Sequence, residues 1–382
     1  MKLITTTDAL ASQSQSLRAA PFITVDTEFM REKTYYAQLC LVQVATENDA
    51  FLIDPLSNTL DLAPLLDVFA DTSVLKVFHA ARQDIEILYR LMGEVPKPLF
   101  DTQVAAMACG YGDQVGYEPL VRAVTNAAVD KGSRFTDWSK RPLSEKQMRY
   151  ALGDVTHLVD VYKNLRARLD AEDRTAWVEE EMSALTDPKL YYVTPEEAWQ
   201  RLKTRNVKPR DMGVLIEIAA WREREAQSRD LPRSRILKDD VLYEIARAAP
   251  TTVQDLGALR GIPNGFERSK SGASLIEAIS TGKAVERRDL PRKAEVSTRQ
   301  SAPPDVLELL RVLLKTQSER HGVAPKLLAS AADLEAIALD DHSDVPALSG
   351  WRREVFGQYA LDLKNGKIAL GLDGKTVTVI SR

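Results

Sequence analysis

The segment from Phe22 to Glu28 constrains the fold more than any other part of the chain. Phe22, Ile23 and Val25 form an apolar run of the kind found in a strand buried on both faces. Asp26 and Glu28 follow at a spacing of two, so their carboxylates lie on the same face of that strand. Buried carboxylates need a cation or hydrogen-bond donors nearby. The segment predicts a central strand that carries a polar site, although alternating acidic residues also occur on solvated strand faces.

Two later segments carry further acidic residues on predicted helices. Asp84 follows the apolar strand candidate VLKVFHA and lies in the first turns of a helix, where the helix dipole alone favours a carboxylate. Tyr150 and Asp154 lie one turn apart on a long periodic segment from Ser144 to about Leu169. A helical tyrosine beside an aspartate is, in isolation, most often a packed aromatic with a satisfied hydroxyl. Taken together, the acidic residues of the three segments can hold two divalent metal ions.

The segments DTE, HAARQD and YALGD, in this order, resemble the three exonuclease motifs of the DEDD superfamily, and the tyrosine marks its DEDDy branch. Up to about residue 170 the chain resembles the bacterial ribonuclease D family. One departure is Ala37, where the family pattern has a proline before Gln38. The resemblance implies an α/β exonuclease domain with an RNase-H-like mixed sheet and flanking helices.

The resemblance also implies the chemistry of the site. Asp26 would bridge two divalent ions, Mg²⁺ or Mn²⁺, for which carboxylate oxygens are suitable ligands. Glu28 and Asp154 would complete the site of the ion that holds the nucleophilic water, and Asp84 would support the second ion. Tyr150 would orient the attacking water by hydrogen bonding. By resemblance, the reaction is 3′→5′ phosphodiester hydrolysis that releases nucleoside 5′-monophosphates. Two metal ions suit phosphodiester hydrolysis because they can stabilise the attacking and leaving oxygens together.

Several other side chains are candidates for substrate contacts, and most of them have a structural alternative. An aromatic ring directly after DTE would stack on the terminal base or pack beneath the sheet. A histidine at the end of the strand before the second motif would contact substrate or support the metal ligands. Basic residues around FTDWSKRPL would meet phosphates or belong to an ordinary charged loop. The candidates are Phe29, Gln38, His79, Arg134, Lys140 and Arg141.

Charge is distributed unevenly along the chain, although the net charge is only −4. Residues 1–200 contain 20 Lys and Arg against 30 Asp and Glu, a net of −10, whereas residues 201–300 contain 21 against 14, a net of +7. Residues 301–382 are nearly neutral, with 10 against 11. A basic neighbour would help an acidic catalytic domain to retain a polyanion. A solvated helical surface would produce the same pattern.

The basic segment predicts a compact helical module. The stretch AAWREREAQSRDLPRSRILKDDVLYEIA resembles the HRDC domain, whose implied role is to bind or position nucleic acid. A later segment has the same order of predicted helices and indicates a second, more divergent HRDC-like domain, suited equally to packing and to RNA contact. The expected organisation is an exonuclease domain (1–200), an HRDC domain (205–285), a linker (286–303), a second HRDC-like domain (304–373) and a tail (374–382).

By resemblance, we expect a 3′→5′ exoribonuclease that trims the free 3′ ends of structured RNAs, chiefly tRNA precursors, and acts as a monomer. Cys40 and Cys109 fit no metal pattern and are expected to be buried thiols. The chain has no membrane-spanning run and no secretory signal, which predicts the cytoplasm. Two alternatives remain open. One is a 3′→5′ DNA exonuclease of the same superfamily, because the metal chemistry does not depend on the sugar, and the other is a non-catalytic nucleic-acid-binding module.

Overall fold

The computed structural model describes residues 2–130, 132–205, 207–286, 288, 290 and 302–382. Most of the predicted linker, residues 286–303, therefore lies outside the described residues.

A six-stranded mixed sheet forms the centre of the N-terminal half, and β2 lies near its middle. The strands are β1 (Leu3–Ile4), β2 (Phe22–Met30), β3 (Gln38–Ala45), β4 (Ala50–Ile53), β5 (Leu75–Phe78) and β6 (Leu99–Asp101). Their order is β1-β4-β3-β2-β5-β6. Because β2 pairs antiparallel with β3 and parallel with β5, both of its edges are covered. The predicted mixed α/β sheet with a buried strand at DTE is confirmed.

Seven helices surround this sheet. They are α1 (Thr7–Arg18), α2 (Ala63–Ala70), α3 (Arg82–Met92), α4 (Thr102–Ala108), α5 (Tyr117–Thr125), α6 (Glu145–Ala171) and α7 (Thr175–Leu185). The longest, α6, begins at a capping box in which Ser144 and Gln147 satisfy each other's backbone N–H groups. It lies against β2, and the Thr24 hydroxyl donates to the Val155 carbonyl at 2.9 Å. This contact fixes the height of α6 relative to the DTE segment.

The basic middle segment forms a helical module with its own core. Its helices are α8 (Met212–Ser228), α9 (Arg233–Ile236), α10 (Asp239–Ala248), α11 (Val253–Gly257) and α12 (Lys270–Ala284). The apolar faces of α8, α10 and α12 meet at fully buried residues, among them Leu215, Leu242 and Leu275. The helical period seen in the sequence therefore corresponds to a packed interior.

The last segment is helical and then ends in a hairpin. Its helices are α13 (Pro304–His321), α14 (Pro325–Leu328), α15 (Ala331–Leu339), α16 (Gly350–Arg352) and, after a π-helical turn at Arg353–Gly357, α17 (Gln358–Lys364). The hairpin consists of β7 (Ile368–Asp373) and β8 (Thr376–Ser381), paired along their whole length. The strand β8, in the expected tail of 374–382, therefore pairs with β7 of the segment before it. The sequence predicted the strand β8 but not its partner β7. The reason is that β7 is a short apolar run, interrupted by Gly371, that continues directly from a helix.

This last segment packs on the N-terminal half and shares its hydrophobic core. The rings of Trp177 and Trp351 stack with centroids 4.2 Å apart and planes 7° from parallel. Arg352, next to that ring, pairs with Glu180 at 2.8 Å and also with Glu181. The sequence left packing and RNA contact open as roles for this segment. The face that carries Trp351 and Arg352 serves packing.

Replacing Trp351 with alanine should lower the free energy of unfolding by about 3–5 kcal/mol. The indole is 8% exposed and stacked, so its removal leaves a cavity that the rigid neighbouring Trp177 cannot fill. Urea unfolding followed by tryptophan fluorescence and circular dichroism would measure the change. Leu372→Ala is the control, because that side chain is 76% exposed. Equal stability of the two variants would contradict a shared core.

Candidate active site

Three carboxylates from two elements form a compact group. Asp26 and Glu28 project from β2, and Asp154 projects from α6, which lies across that strand. One carboxylate oxygen from each residue lies within 4.8 Å of the others. The spacing of two on β2 places the first pair on one face, and the packing of α6 brings the third residue to it. Tyr150 lies one turn before Asp154 and lines the same cavity.

Asp84 approaches the group from α3 and is held by Thr27. The Thr27 hydroxyl donates to Asp84 Oδ1 at 2.5 Å, and both side chains are buried. The turn before α3 is held in place by Asp101, whose carboxylate accepts from the backbone N–H groups of Ala80 at 3.0 Å and Ala81 at 2.9 Å. Ala80 has a φ of 57°, so this turn needs such support. Asp101 is thus a positioning residue that the sequence patterns did not reveal.

A cavity of about 1100 Å³ opens above these side chains. Its floor carries the four carboxylates and Tyr150, and its walls come from β2, the start of α3, α5, α6 and the loop before α6. Three of the six candidate substrate contacts line it. They are Phe29, His79 and Arg134.

The other three candidates are not brought to the cavity. Arg141 makes a bidentate ion pair with Asp54, at 2.7 and 2.6 Å, and also donates to the Cys40 carbonyl. Gln38 lines a separate groove beside β3. Lys140 is exposed, and its amine lies 3.9 Å from Asp137. The sequence placed Arg141 in a charged loop but could not show that a buried aspartate far along the chain would bind its guanidinium.

Burial raises the pKa of each of the four carboxylates, and repulsion within the group adds to the increase for Asp26 and Glu28. Burial, followed by the charges of Asp154 and Asp84, raises the pKa of Glu28 to about 9. Burial also raises the pKa of Asp84 and of Asp154 to about 7, and it raises the pKa of Asp26 well above its ordinary value. Arg134 partly opposes this by lowering the pKa of Glu28 and Asp154.

This donor set fits divalent metal ions. Anionic oxygens held together away from water are unfavourable unless a cation neutralises them. Hard divalent cations prefer oxygen ligands, and carboxylates dominate their protein sites. The two cysteines, Cys40 and Cys109, are both buried, and neither lines the cavity. The arrangement therefore favours Mg²⁺ or Mn²⁺ over a thiol-seeking metal.

Two tyrosines of the cavity are held in the neutral form. Burial, followed by the charge of Asp154, raises the pKa of Tyr150, and its hydroxyl hydrogen-bonds to the Asp154 carboxylate. Burial likewise raises the pKa of Tyr117, whose hydroxyl donates to the Gly153 carbonyl at 2.9 Å. No motif pointed to Tyr117, because its place in the cavity depends on how α5 packs against α6.

His79 belongs to the cavity wall. Its Nδ1 lies 3.0 Å from the Thr102 hydroxyl, and its ring packs edge-on against Tyr117 with centroids 5.5 Å apart. Burial lowers the pKa of His79, so the imidazole is neutral near pH 7. Its contacts hold β5, α4 and α5 together beneath the cavity.

Two family models match the chain. A 3′-5′ exonuclease model covers residues 1–170, and an HRDC domain model covers residues 211–279. The first covers the sheet and every carboxylate of the cavity, and the second covers most of the basic helical module. The fold and these matches define a 3′→5′ exonuclease that depends on divalent metal and carries an HRDC domain.

Full-length relatives specify the family. The ribonuclease D of Nitrobacter hamburgensis is 52% identical over 382 residues, covering 100% of both chains. The ribonuclease D of Granulibacter bethesdensis is 50% identical, covering 99% of this chain and 96% of its own. The crystal structure of Escherichia coli RNase D, described as an exoribonuclease involved in structured RNA processing, matches with a TM-score of 0.81 at 30% identity. That match covers 96% of this chain and 98% of that one. The chain belongs to the ribonuclease D family and is a 3′→5′ exoribonuclease.

Among the residues that the structure describes, no helix combines the length and the apolar composition that crossing a bilayer requires. The expected cytoplasmic location stays a prediction.

Proposed function

We propose that this exoribonuclease trims the free 3′ ends of structured RNAs, chiefly tRNA precursors, with two Mg²⁺ or Mn²⁺ ions, and that it acts as a monomer in the cytoplasm. The observation that carries the proposal is the close group of carboxylates, with a neutral tyrosine beside them, at the floor of one cavity. We also propose the domain extents 1–200, 205–285 and 304–373, with a linker at 286–303 and a tail at 374–382.

Each carboxylate has a proposed role. Asp26, Glu28 and Asp154 would hold one ion, and Asp26 with Asp84 would hold the other. When bound, such a pair of ions stabilises charge on the attacking, leaving and phosphoryl oxygens and lowers the pKa of the bound water. Thr27 keeps Asp84 oriented, since its hydroxyl donates to Asp84 Oδ1.

The Tyr150 hydroxyl is proposed to orient the attacking water. Because burial and the nearby carboxylates keep it protonated, it acts through a hydrogen bond and does not serve as a base. Arg134 is proposed to contact the RNA phosphates at the cavity entrance, and Phe29 is proposed to stack against the terminal base, because both side chains line the cavity.

Tyr150→Phe should lower kcat on the order of 100-fold while leaving KM nearly unchanged. The ring keeps its packing, and only the hydroxyl that orients the water is lost. Single-turnover hydrolysis would measure the rate, and Mn²⁺ titration followed by electron paramagnetic resonance would show that metal affinity is retained. Tyr117→Phe is the matched control, expected to change kcat by less than about tenfold because that hydroxyl serves the Gly153 carbonyl. An equal decrease in kcat for the two variants would contradict the role of the Tyr150 hydroxyl in orienting the attacking water.

The basic HRDC module is proposed to retain the body of the RNA. It is joined to the loop after β2 by a buried polar contact. Glu223, 1% exposed, pairs with Arg233 at 2.5 Å and accepts from the Tyr35 hydroxyl. The Arg233 guanidinium also lies 4.7 Å from the centroid of the Tyr35 ring. Because Tyr35 follows the strand that carries Asp26 and Glu28, RNA bound to the module would be held at a defined distance from the cavity.

The substrate assignment can be tested by digestion of end-labelled nucleic acids. A tRNA with a 3′ extension should be shortened stepwise from its 3′ end in Mg²⁺ or Mn²⁺, with release of nucleoside 5′-monophosphates. Single-stranded DNA of the same 3′ sequence should be shortened more slowly, because it lacks the 2′-hydroxyl. Preferred trimming of the DNA would assign a DNA exonuclease instead. Binding without metal-dependent shortening of either would indicate a binding module.

A further inference from the structure

We infer that Phe135 is a substrate-binding residue whose ring stacks on a nucleobase of the single-stranded 3′ segment, upstream of the nucleotide being removed. The inference rests on the proposed function, since it concerns how the RNA reaches the proposed metal site. Phe135 lies in the loop before α6. It is not part of any of the three exonuclease motifs, and it is not one of the proposed metal ligands.

The exposure of Phe135 is unusual for its size. The side chain is 92% exposed, the largest exposed fraction among the large apolar residues that the structure describes as exposed. A phenyl ring in this position does not stabilise the fold, because an aromatic side chain contributes to stability by being buried. Yet the residue lines the cavity that contains the carboxylates. A residue that both lines the cavity and is almost fully exposed must lie at its opening.

The loop holds Phe135 outward by local contacts. Ser133 is buried, and its carbonyl accepts from the Thr136 N–H at 3.2 Å and from the Thr136 hydroxyl at 2.8 Å. The Gln147 side chain, at the start of α6, donates to that hydroxyl at 3.2 Å. Trp138, on the other side, is buried in the core next to Tyr150. The turn is therefore anchored to the helix that carries Tyr150 and Asp154.

The neighbour of Phe135 suits a nucleotide strand. The Arg134 guanidinium lies 5.3 Å from the centroid of the Phe135 ring and also lines the cavity. A cation beside an exposed aromatic ring presents one group for a phosphate and one for a base. Stacking accepts any base, as required of an enzyme that removes successive nucleotides from different RNAs.

The position along the strand follows from the cavity. The scissile phosphate must reach the carboxylates on the floor, so the terminal nucleotide occupies the interior, near Phe29. A side chain at the opening therefore meets the strand before it enters, at a nucleotide on the 5′ side of the scissile phosphate.

The test measures kcat and KM for a single-stranded 3′ extension with Phe135→Ala and Phe135→Trp. The alanine variant should raise KM roughly tenfold with kcat changed less than about twofold, and the tryptophan variant should keep KM near the unaltered value. Leu372→Ala, an exposed apolar residue of the terminal hairpin, is the control and should not change KM.

A substrate series with a single abasic nucleotide, moved stepwise upstream of the terminal position, identifies the partner base. At one position the abasic substrate should raise KM roughly tenfold for the unaltered enzyme and add nothing for Phe135→Ala. A KM for Phe135→Ala within twofold of the unaltered value would overturn the inference. So would an equal increase in the KM of the unaltered enzyme at every abasic position. Failure of the proposed function is distinguishable, because the unaltered enzyme would then show no metal-dependent shortening at all.

Discussion

Asp154→Asn is expected to lower the rate of metal-dependent 3′-end hydrolysis on the order of 10³-fold. Asparagine preserves the shape of the side chain but removes a negative charge from a group whose oxygens lie within 4.8 Å of one another. The loss should appear in kcat under single-turnover conditions, with RNA binding retained.

The control for this variant is Asp160→Asn, on the exposed face of the same helix, α6. It removes the same charge from the same element without touching the cavity, and its rate should match that of the unaltered enzyme. Retention of more than a tenth of the activity by Asp154→Asn would contradict a role for this carboxylate in holding metal.

The second large effect concerns stability without metal. The metal-free protein should lose unfolding free energy steadily as the pH rises from about 4 to about 9. The folded pKa is about 9 for Glu28 and about 7 for Asp84 and Asp154, each above its ordinary value. In this window the folded state binds more protons than the unfolded state. The stabilisation is therefore fully present below the unfolded pKa and is lost as the pH rises through the folded pKa.

Divalent metal should reverse this dependence, because the bound ion favours the ionised carboxylates. Urea unfolding at a series of pH values, with EDTA and with saturating Mn²⁺, measures both slopes. Asp26→Asn should stabilise the metal-free protein at pH 8, since it removes one of the mutually repelling charges, and should weaken the effect of Mn²⁺. The same pH slope with EDTA and with Mn²⁺ would contradict a metal site at these carboxylates.

The sequence predicted the elements of the cavity floor because each depends on a local pattern. The apolar run before Asp26 and Glu28 predicted β2, and the long helical period with Ser144 at its start predicted α6. Asp84 was correctly expected in the first turns of a helix. The order of these three segments indicated the exonuclease fold and the ribonuclease D family, and both are confirmed.

Contacts between distant segments could not be predicted in the same way. The Arg141 guanidinium binds Asp54, 87 residues away, and nothing local distinguishes that arginine from one that contacts phosphate. Trp177 and Trp351 stack across an even longer separation. Tyr117 and Asp101 support the cavity through the packing of whole elements. Side-chain direction and tertiary pairing decide these cases, and neither leaves a periodic pattern in the chain.

Hydrolysis of RNAs with a single phosphorothioate at the 3′-terminal linkage tests most directly whether metal ions act on the scissile phosphate. Sulfur binds Mg²⁺ poorly and the softer Mn²⁺ better, so each diastereomer reports on one phosphoryl position. One diastereomer should be hydrolysed slowly in Mg²⁺ and regain activity when Mn²⁺ is added, whereas the all-oxygen RNA is hydrolysed in both. Slow hydrolysis that Mn²⁺ does not relieve, or equal rates for both diastereomers and the all-oxygen RNA in Mg²⁺, would contradict direct metal contact with the phosphate.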